Sequence, residues 1–380
     1  MNIMLTKIYS YTLALNMQFM IYYSPSKQTM RNAMHIFNYD SALESLLSPE
    51  ITTLIASIHE YKGRQNYLLS VNEKAVDALV GVSREKSVVA SNRIEGVSTP
   101  DYRLRDLIDE DAEPRDEDEQ SICAYHGCFT SVLANYGTMQ PTPESILALH
   151  KQLFVHLPSG GTWKNEDSAI TEMDGEGRES ALFRTVTAAD TPLAMNLLCD
   201  AYGKAIAQGR FNPLLLTVVF IFDFLCIHPF QDGNGRMSRL LALLLSCRAG
   251  YMVGKYVSVD QIVEESRADY YDALRASSRG WHENANDLRP FVEYILNAVL
   301  KAYKEFASRL DGLVHEHTSK SDRIRNVIAA AEGTISKREI LERCPDISVV
   351  TVSVVLKRLC DEGFICKTGN GRNAAYVRIE

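Results

Sequence analysis

Along this 380-residue chain, apolar positions recur mostly three and four apart or crowd into runs, which predicts a largely helical protein. Helical spacing is found near 41–60, 70–80, 83–95, 121–136, 143–157, 192–207, 213–227, 234–249, 258–278 and 287–310. The run "PLLLTVVFIFDFLCI" at 213–227 is apolar on every face and predicts a buried core helix. At about fifteen residues, with Asp223 inside, it is too short and too polar to span a bilayer. Residues 160–191 break the pattern: glycine and aspartate turn signals flank short runs such as "SALFRTVT", predicting a β-hairpin inserted among helices. The stretch "DEDAEPRDEDEQ" at 109–120 reads as a solvated acidic loop between two helical regions.

Beyond residue 321 the chain changes character. "DRIRNVIAAA", "SKREILERC" and "SVVTVSVVLKRLCDEG" read as three short helices, and "FICKTGNGRNAAYVRI" as two strands joined by a turn at Asn370-Gly371. Three helices followed by a hairpin is the order of a winged-helix domain. The expected organisation is an N-terminal extension at 1–35, a helical region at 36–110, a main helical domain at 111–310 and the winged helix at 322–380.

Composition narrows the function. With 46% hydrophobic and 23% charged residues the chain is an ordinary globular protein. Its net charge of −8 argues against nucleic-acid binding by the surface as a whole, although residues 321–380 carry ten basic and eight acidic groups. Eight cysteines without a C-x-x-C pair predict reduced, buried thiols and a cytoplasmic protein, not a disulfide framework or zinc site. The first 30 residues are apolar but interrupted by Tyr, Thr, Asn and Gln, with no small-x-small cleavage site after them. They read as an extension rather than a signal peptide.

The chemistry concentrates in "HPFQDGNGRMSR", residues 228–239, directly after the core helix. Pro229 disfavours a helical His228, so the helix should stop there. Gly233 and Gly235 let the backbone approach an anion with their N–H groups turned toward it. The next helix begins at once, and its free N–H groups and positive dipole end face the same point. Arg236 and Arg239 stand three apart in the first turn and reach phosphate oxygens from one face. Asp232 can hold a Mg²⁺ that bridges those oxygens, and His228 is free to act as a base. Each residue alone has a bland reading; their conjunction within twelve residues does not. No G-x-x-x-x-G-K-[ST] occurs, so this is not a P-loop NTPase.

The stretch resembles the signature of the Fic-domain family, H-x-F-x-[D/E]-G-N-G-R-x-x-R, at every specified position. The resemblance implies a mainly α Fic fold with a β-hairpin flap, and an enzyme that transfers AMP from ATP to a Ser, Thr or Tyr hydroxyl of a target protein. His228 would then deprotonate the attacking hydroxyl, Phe230 would anchor the loop, and Asp232 would bind Mg²⁺. Asn234 and the amides of Gly233 and Gly235 would cradle the phosphates, while Arg236 and Arg239 would hold the β- and γ-phosphates. Gly235 stands where the kinase-like Doc branch carries a lysine, which favours AMP transfer.

Upstream, "SNRIEG" at 91–96 resembles the family's inhibitory sequence [S/T]-x-x-x-E-[G/N] at the end of a helix expected to start after Ser83. Ser91 and Glu95 share one helix face, and the resemblance pairs Glu95 with Arg239, displacing the γ-phosphate. The hairpin would be a flap whose edge docks a target strand. It lacks the prolines common in family flaps, and Lys164 stands where an arginine is frequent. Tyr271 matches a position that packs near adenine. Two other readings compete: a phosphodiesterase that removes AMP, with Glu95 orienting water, and a DNA-binding regulator whose Fic domain senses nucleotide. Helix 348–362 is rich in valine, with basic groups only at Lys357 and Arg358, which is thin for base reading. Self-modification and homodimerisation are compatible with the pattern; a membrane partner is not expected.

Overall fold

Proline opens three of the helices that build this protein: Pro49 begins α2 (Pro49–Val71), Pro143 begins α6 (Pro143–Leu153) and Pro213 begins α8 (Pro213–Ile227). The computed structural model describes residues 21–22, 35–71, 73–110, 112–173, 179–317, 320–331, 333–369 and 374–379. These divide into two compact units, Met1–Tyr67 with Val76–Phe306, and Leu68–Ala75 with Ala307–Glu380.

In the first unit α8 is the central element. Every residue from Leu214 to Ile227 is buried, Asp223 included. It packs between α7 (Thr191–Gln208) and α9 (Asn234–Arg248), and α9 also meets α5 (Glu117–Asn135). Strands β2 (Ala169–Met173) and β3 (Glu179–Arg184) form the expected antiparallel hairpin, with a bulge between Ile170 and Thr171. On its other edge β2 pairs with β1 (Ile21–Tyr22), so β2 is the middle strand of three.

Four elements differ from the sequence reading. Residues 41–60 form two helices, α1 (Tyr39–Ser45) and α2, because Pro49 starts a new one. The segments expected at 70–80 and 83–95 fall mostly in one helix, α3 (Glu73–Ile94), with residues 70 and 71 closing α2. Ser83 does not cap it; the residue is buried and its hydroxyl donates to the Gly254 carbonyl. The helix expected over 258–278 breaks into α10 (Val259–Glu265) and α11 (Arg267–Ser278). Ser266 lies at the break and its hydroxyl bonds back to the Ile262 carbonyl, a contact that competes with the helix ladder. A further helix, α4 (Asp101–Asp109), precedes the acidic stretch.

That stretch is not wholly a solvated loop. Glu119 is buried and takes Arg103 Nε at 3.0 Å, while Arg115 N–H donates to the same carboxylate at 2.9 Å. An acid-rich string hides which one of its members has a buried partner.

The second unit holds the lower part of α12 (Arg289–His317), then α13 (Lys320–Ala329), β4 (Thr334–Ser336), α14 (Lys337–Arg343), α15 (Val349–Asp361), β5 (Ile365–Thr368) and β6 (Ala375–Arg378). The three expected helices and two strands are joined by β4, a short strand without its own alternation signal, in the sheet order β4-β6-β5. Ile324, Ile340, Val352, Leu356 and Leu359 centre its core. The Asn370-Gly371 turn and nearly all of the N-terminal extension lie outside the described residues. Among those described, all eight cysteines are free; five are buried and Cys366 is exposed, contrary to the expectation for that thiol. No described helix is long and apolar enough to cross a membrane.

Candidate active site

The end of α8 follows from Pro229. His228 adopts a left-handed conformation, φ 52 and ψ 63, and closes the helix with its N–H on the Phe224 carbonyl. The turn puts its ring into a cavity shared with Glu95, Asp232 and Gly235. The ring is buried, and desolvation together with the nearby Lys164 ammonium brings its pKa down to about 3. The Leu225 carbonyl favours the proton, but neither ring nitrogen makes a hydrogen bond of ordinary geometry. At neutral pH His228 is therefore an unprotonated imidazole, the state in which a histidine can accept a proton.

The loop that follows is rigid for identifiable reasons. Asn234 Oδ1 accepts the Phe230 N–H at 2.9 Å, and its Nδ2 donates to the Phe230 carbonyl at 2.8 Å. The side chain of Asn234 therefore closes the loop, and its backbone N–H lies at the start of α9. Phe230, with no exposed surface, stacks on His150 at 3.7 Å between ring centroids. Gly233 has φ 81, and a Cβ there would run into the Phe154 ring. Gly233→Ala is expected to lower folding stability by about 1–3 kcal/mol, combining the left-handed backbone with overpacking. A melting temperature equal to wild type would contradict it.

The two arginines have different surroundings. Arg239 is held by three bonds: Nε to Ser91 Oγ at 2.7 Å, Nη2 to the Ser91 carbonyl at 2.9 Å, and Nη2 to Glu95 Oε1 at 2.7 Å. Arg236 is buried over the Phe154 ring, with Nε and Nη1 lacking partners and only a 3.7 Å approach to Asp232. Buried guanidinium donors without acceptors are costly, and an anion would relieve that cost. Glu95 is placed where an anion would sit. A Cβ on Gly235, in the first turn of α9, would collide with Glu95 Oε1. The carboxylate thus rests against the helix N-terminus, the position a phosphate oxygen favours.

Asp232 keeps 73% of its side chain exposed at the cavity edge. Its Oδ1 takes the Gly233 N–H. No cluster of three or more metal-ligating side chains exists among the described residues. One accessible carboxylate suits Mg²⁺, which commonly binds through one or two carboxylates plus substrate phosphates. Tyr271 lines the same cavity. Sequence reasoning passed over Tyr270 and Arg275, which also line it, and Phe183 of β3. Their signal was helical spacing in α11, which a core role explains equally well. Lys164, which stands where the family frequently has an arginine, is buried and bonds to the Ile227 and Pro229 carbonyls on either side of His228.

Fold and site together define a helical domain in which a buried imidazole, an accessible acid and a helix N-terminus converge on one cavity. The profile of the Fic/DOC family matches residues 140–246. A Fido domain-containing protein of Dictyostelium discoideum is 30% identical over 146 residues, covering 37% of this chain and 97% of that protein. The chain belongs to the Fic/DOC family. Protein adenylyltransferase Fic of Aedes aegypti is 39% identical over 158 residues, 40% of this chain. The chain spans 27% of the length of that relative and 32% of its counterpart in Drosophila ananassae. Among solved structures, a Fic family protein from Desulfovibrio desulfuricans matches with a TM-score of 0.57 at 22% identity, covering 88% of this chain and 97% of its own. That likeness concerns the fold.

Proposed function

We propose that this protein is an adenylyltransferase that moves AMP from ATP to a hydroxyl on a target protein, and that Glu95 restrains it. The observation that carries the reading is the neutral, buried His228 in one cavity with Asp232 and the α9 N-terminus. The imidazole takes the proton of the attacking hydroxyl, whose oxygen bonds to the α-phosphorus as the bond to pyrophosphate breaks. The start of α9 and Arg236 bind the phosphates of ATP, and Arg239 joins them once Glu95 leaves it. Tyr271 would pack near the adenine. A Mg²⁺ held by Asp232 would neutralise charge on the leaving pyrophosphate.

The hairpin would dock the target strand. Because β2 is already paired on both sides, β3 offers the described outer edge of the hairpin for that pairing. Hydrolytic removal of AMP from a target is the second reading, favoured by Glu95 lining the cavity beside His228. The C-terminal unit fits a winged helix, but α15 exposes Val349, Val350 and Val354, which supports docking to protein over reading of bases.

Labelled ATP supplied with cell lysate tests the reading. Label on protein supports transfer; release of labelled AMP from a pre-modified target, with no incorporation, would support the hydrolytic alternative. In the same assay Asp232→Ala is expected to cut transfer by about a hundredfold or more, the scale of several kcal/mol of charge stabilisation. Unchanged transfer in that variant, or full activity in excess EDTA, would remove Asp232 and the metal from the site.

A further inference from the structure

Lys164 is a cation in a place where cations are rarely left. It is 4% exposed, and burial pushes its ammonium down to about 7, against a small opposing pull from Asp167. Its contacts run to two separate pieces of the fold. Nζ donates to Thr185 Oγ1 at 2.8 Å and to the Ile227 carbonyl at 3.1 Å, and its backbone N–H donates to the Pro229 carbonyl at 2.9 Å. Ile227 and Pro229 flank His228. Thr185 directly follows β3 and is itself bonded to Ser168, which directly precedes β2, by Oγ1 to the Ser168 carbonyl at 2.8 Å. Next to Lys164, Trp163 stacks on Phe230 at 5.2 Å.

We infer that Lys164 is a positioning residue: it ties the base of the hairpin to the backbone on both sides of His228, fixing the distance between the docking strand and the base. The role for His228 rests on the proposed transferase reading; the tie itself does not. An arrangement of this kind gives one side chain control over two things that must agree, where the acceptor hydroxyl arrives and where the imidazole waits for it. Small errors in that agreement cost large factors in rate. The lysine also sets the charge that the ring feels. The other charged or titratable groups lining the His228 cavity are Glu95, Cys226, Asp232, Arg239, Tyr270, Tyr271 and Arg275, and Asp167 lies near Lys164.

The tie is tested with the full-length chain and two variants. Lys164→Met removes the ammonium at similar length. It is expected to raise the His228 titration midpoint, read from its ring-proton NMR signals, by about one pH unit. Amide exchange of 168–173 and 179–185 should quicken, and kcat for transfer should fall about tenfold with ATP affinity unchanged. Lys164→Arg, which keeps a cation, should restore the His228 midpoint. Thr185→Val removes the hairpin end of the tie together with the Thr185–Ser168 bond and leaves the contacts beside His228, so hairpin exchange should quicken while the His228 midpoint stays. This variant decides the matter if Lys164→Met does not fold. A wild-type midpoint and wild-type hairpin exchange in folded Lys164→Met would overturn the inference, as would unaltered hairpin exchange in Thr185→Val. Absence of transfer in every protein, a Glu95→Gly version included, would fault the transferase reading and leave the two structural readouts intact.

Discussion

Replacing His228 by alanine is expected to lower AMP transfer by about 10²–10⁴, the usual contribution of a positioned general base, while ATP binding and the fold persist. The ring closes α8 only through its backbone, its nitrogens support no neighbour by ordinary hydrogen bonds, and alanine leaves the Asn234–Phe230 loop bonds intact. The pH profile carries a second test of the same assignment. A folded pKa near 3 keeps the ring unprotonated through the usual histidine range, so kcat/KM should not fall between pH 7 and 5 on account of His228. Linkage has the same sign: the unfolded chain binds a proton near 6.5 that the folded chain refuses, so His228 makes the protein less stable as pH falls toward its folded pKa. An alanine variant that labels protein as fast as its parent would end the role proposed for His228. Isothermal calorimetry with ATP separates loss of chemistry from loss of binding.

Glu95→Gly is expected to raise transfer, self-modification included, by about tenfold or more, because it frees Arg239 and vacates the anion position at α9 without altering His228 or Asp232. The change falls in the turn directly after α3, just before Gly96 with φ 82, so its backbone cost stays below about 1 kcal/mol. Arg239→Ala should not mimic the gain. It removes the partner of Glu95 and the phosphate ligand together, and strips both the Ser91 hydroxyl and the Ser91 carbonyl of their donor. The double variant should match Arg239→Ala alone, a non-additivity expected of residues that act on each other. Labelling by Glu95→Gly that stays at the wild-type level under saturating Mg·ATP would reduce the Glu95–Arg239 pair to a structural ion pair.

Much of this site was legible because its determinants are local. A proline after histidine, two glycines and a helix start within a few residues specify one backbone path, and "HPFQDGNGR" writes that path contiguously. Asn234 illustrates the limit: its identity was legible, but whether its amide faced a ligand or the Phe230 backbone depended on the closed shape of the loop. The break at Ser266 and the burial of Glu119 were illegible for a related reason. A serine hydroxyl can cap, back-bond or face water, and an acidic run looks solvated until one member meets Arg103.

By itself the sequence determined the helical class, the core helix α8, the stop at His228 and the anion-seeking start of α9, because 3.6-residue periodicity and proline–glycine chemistry act over neighbouring residues. Only the tertiary structure decided which charges share space. It seated Glu95 on Arg239 across 144 residues, a pairing that only the family resemblance had implied, drew Lys164 under His228 and set its ammonium on the hairpin base. Coulombic and desolvation energies depend on distance and burial in space, and separation along the chain carries no information about either.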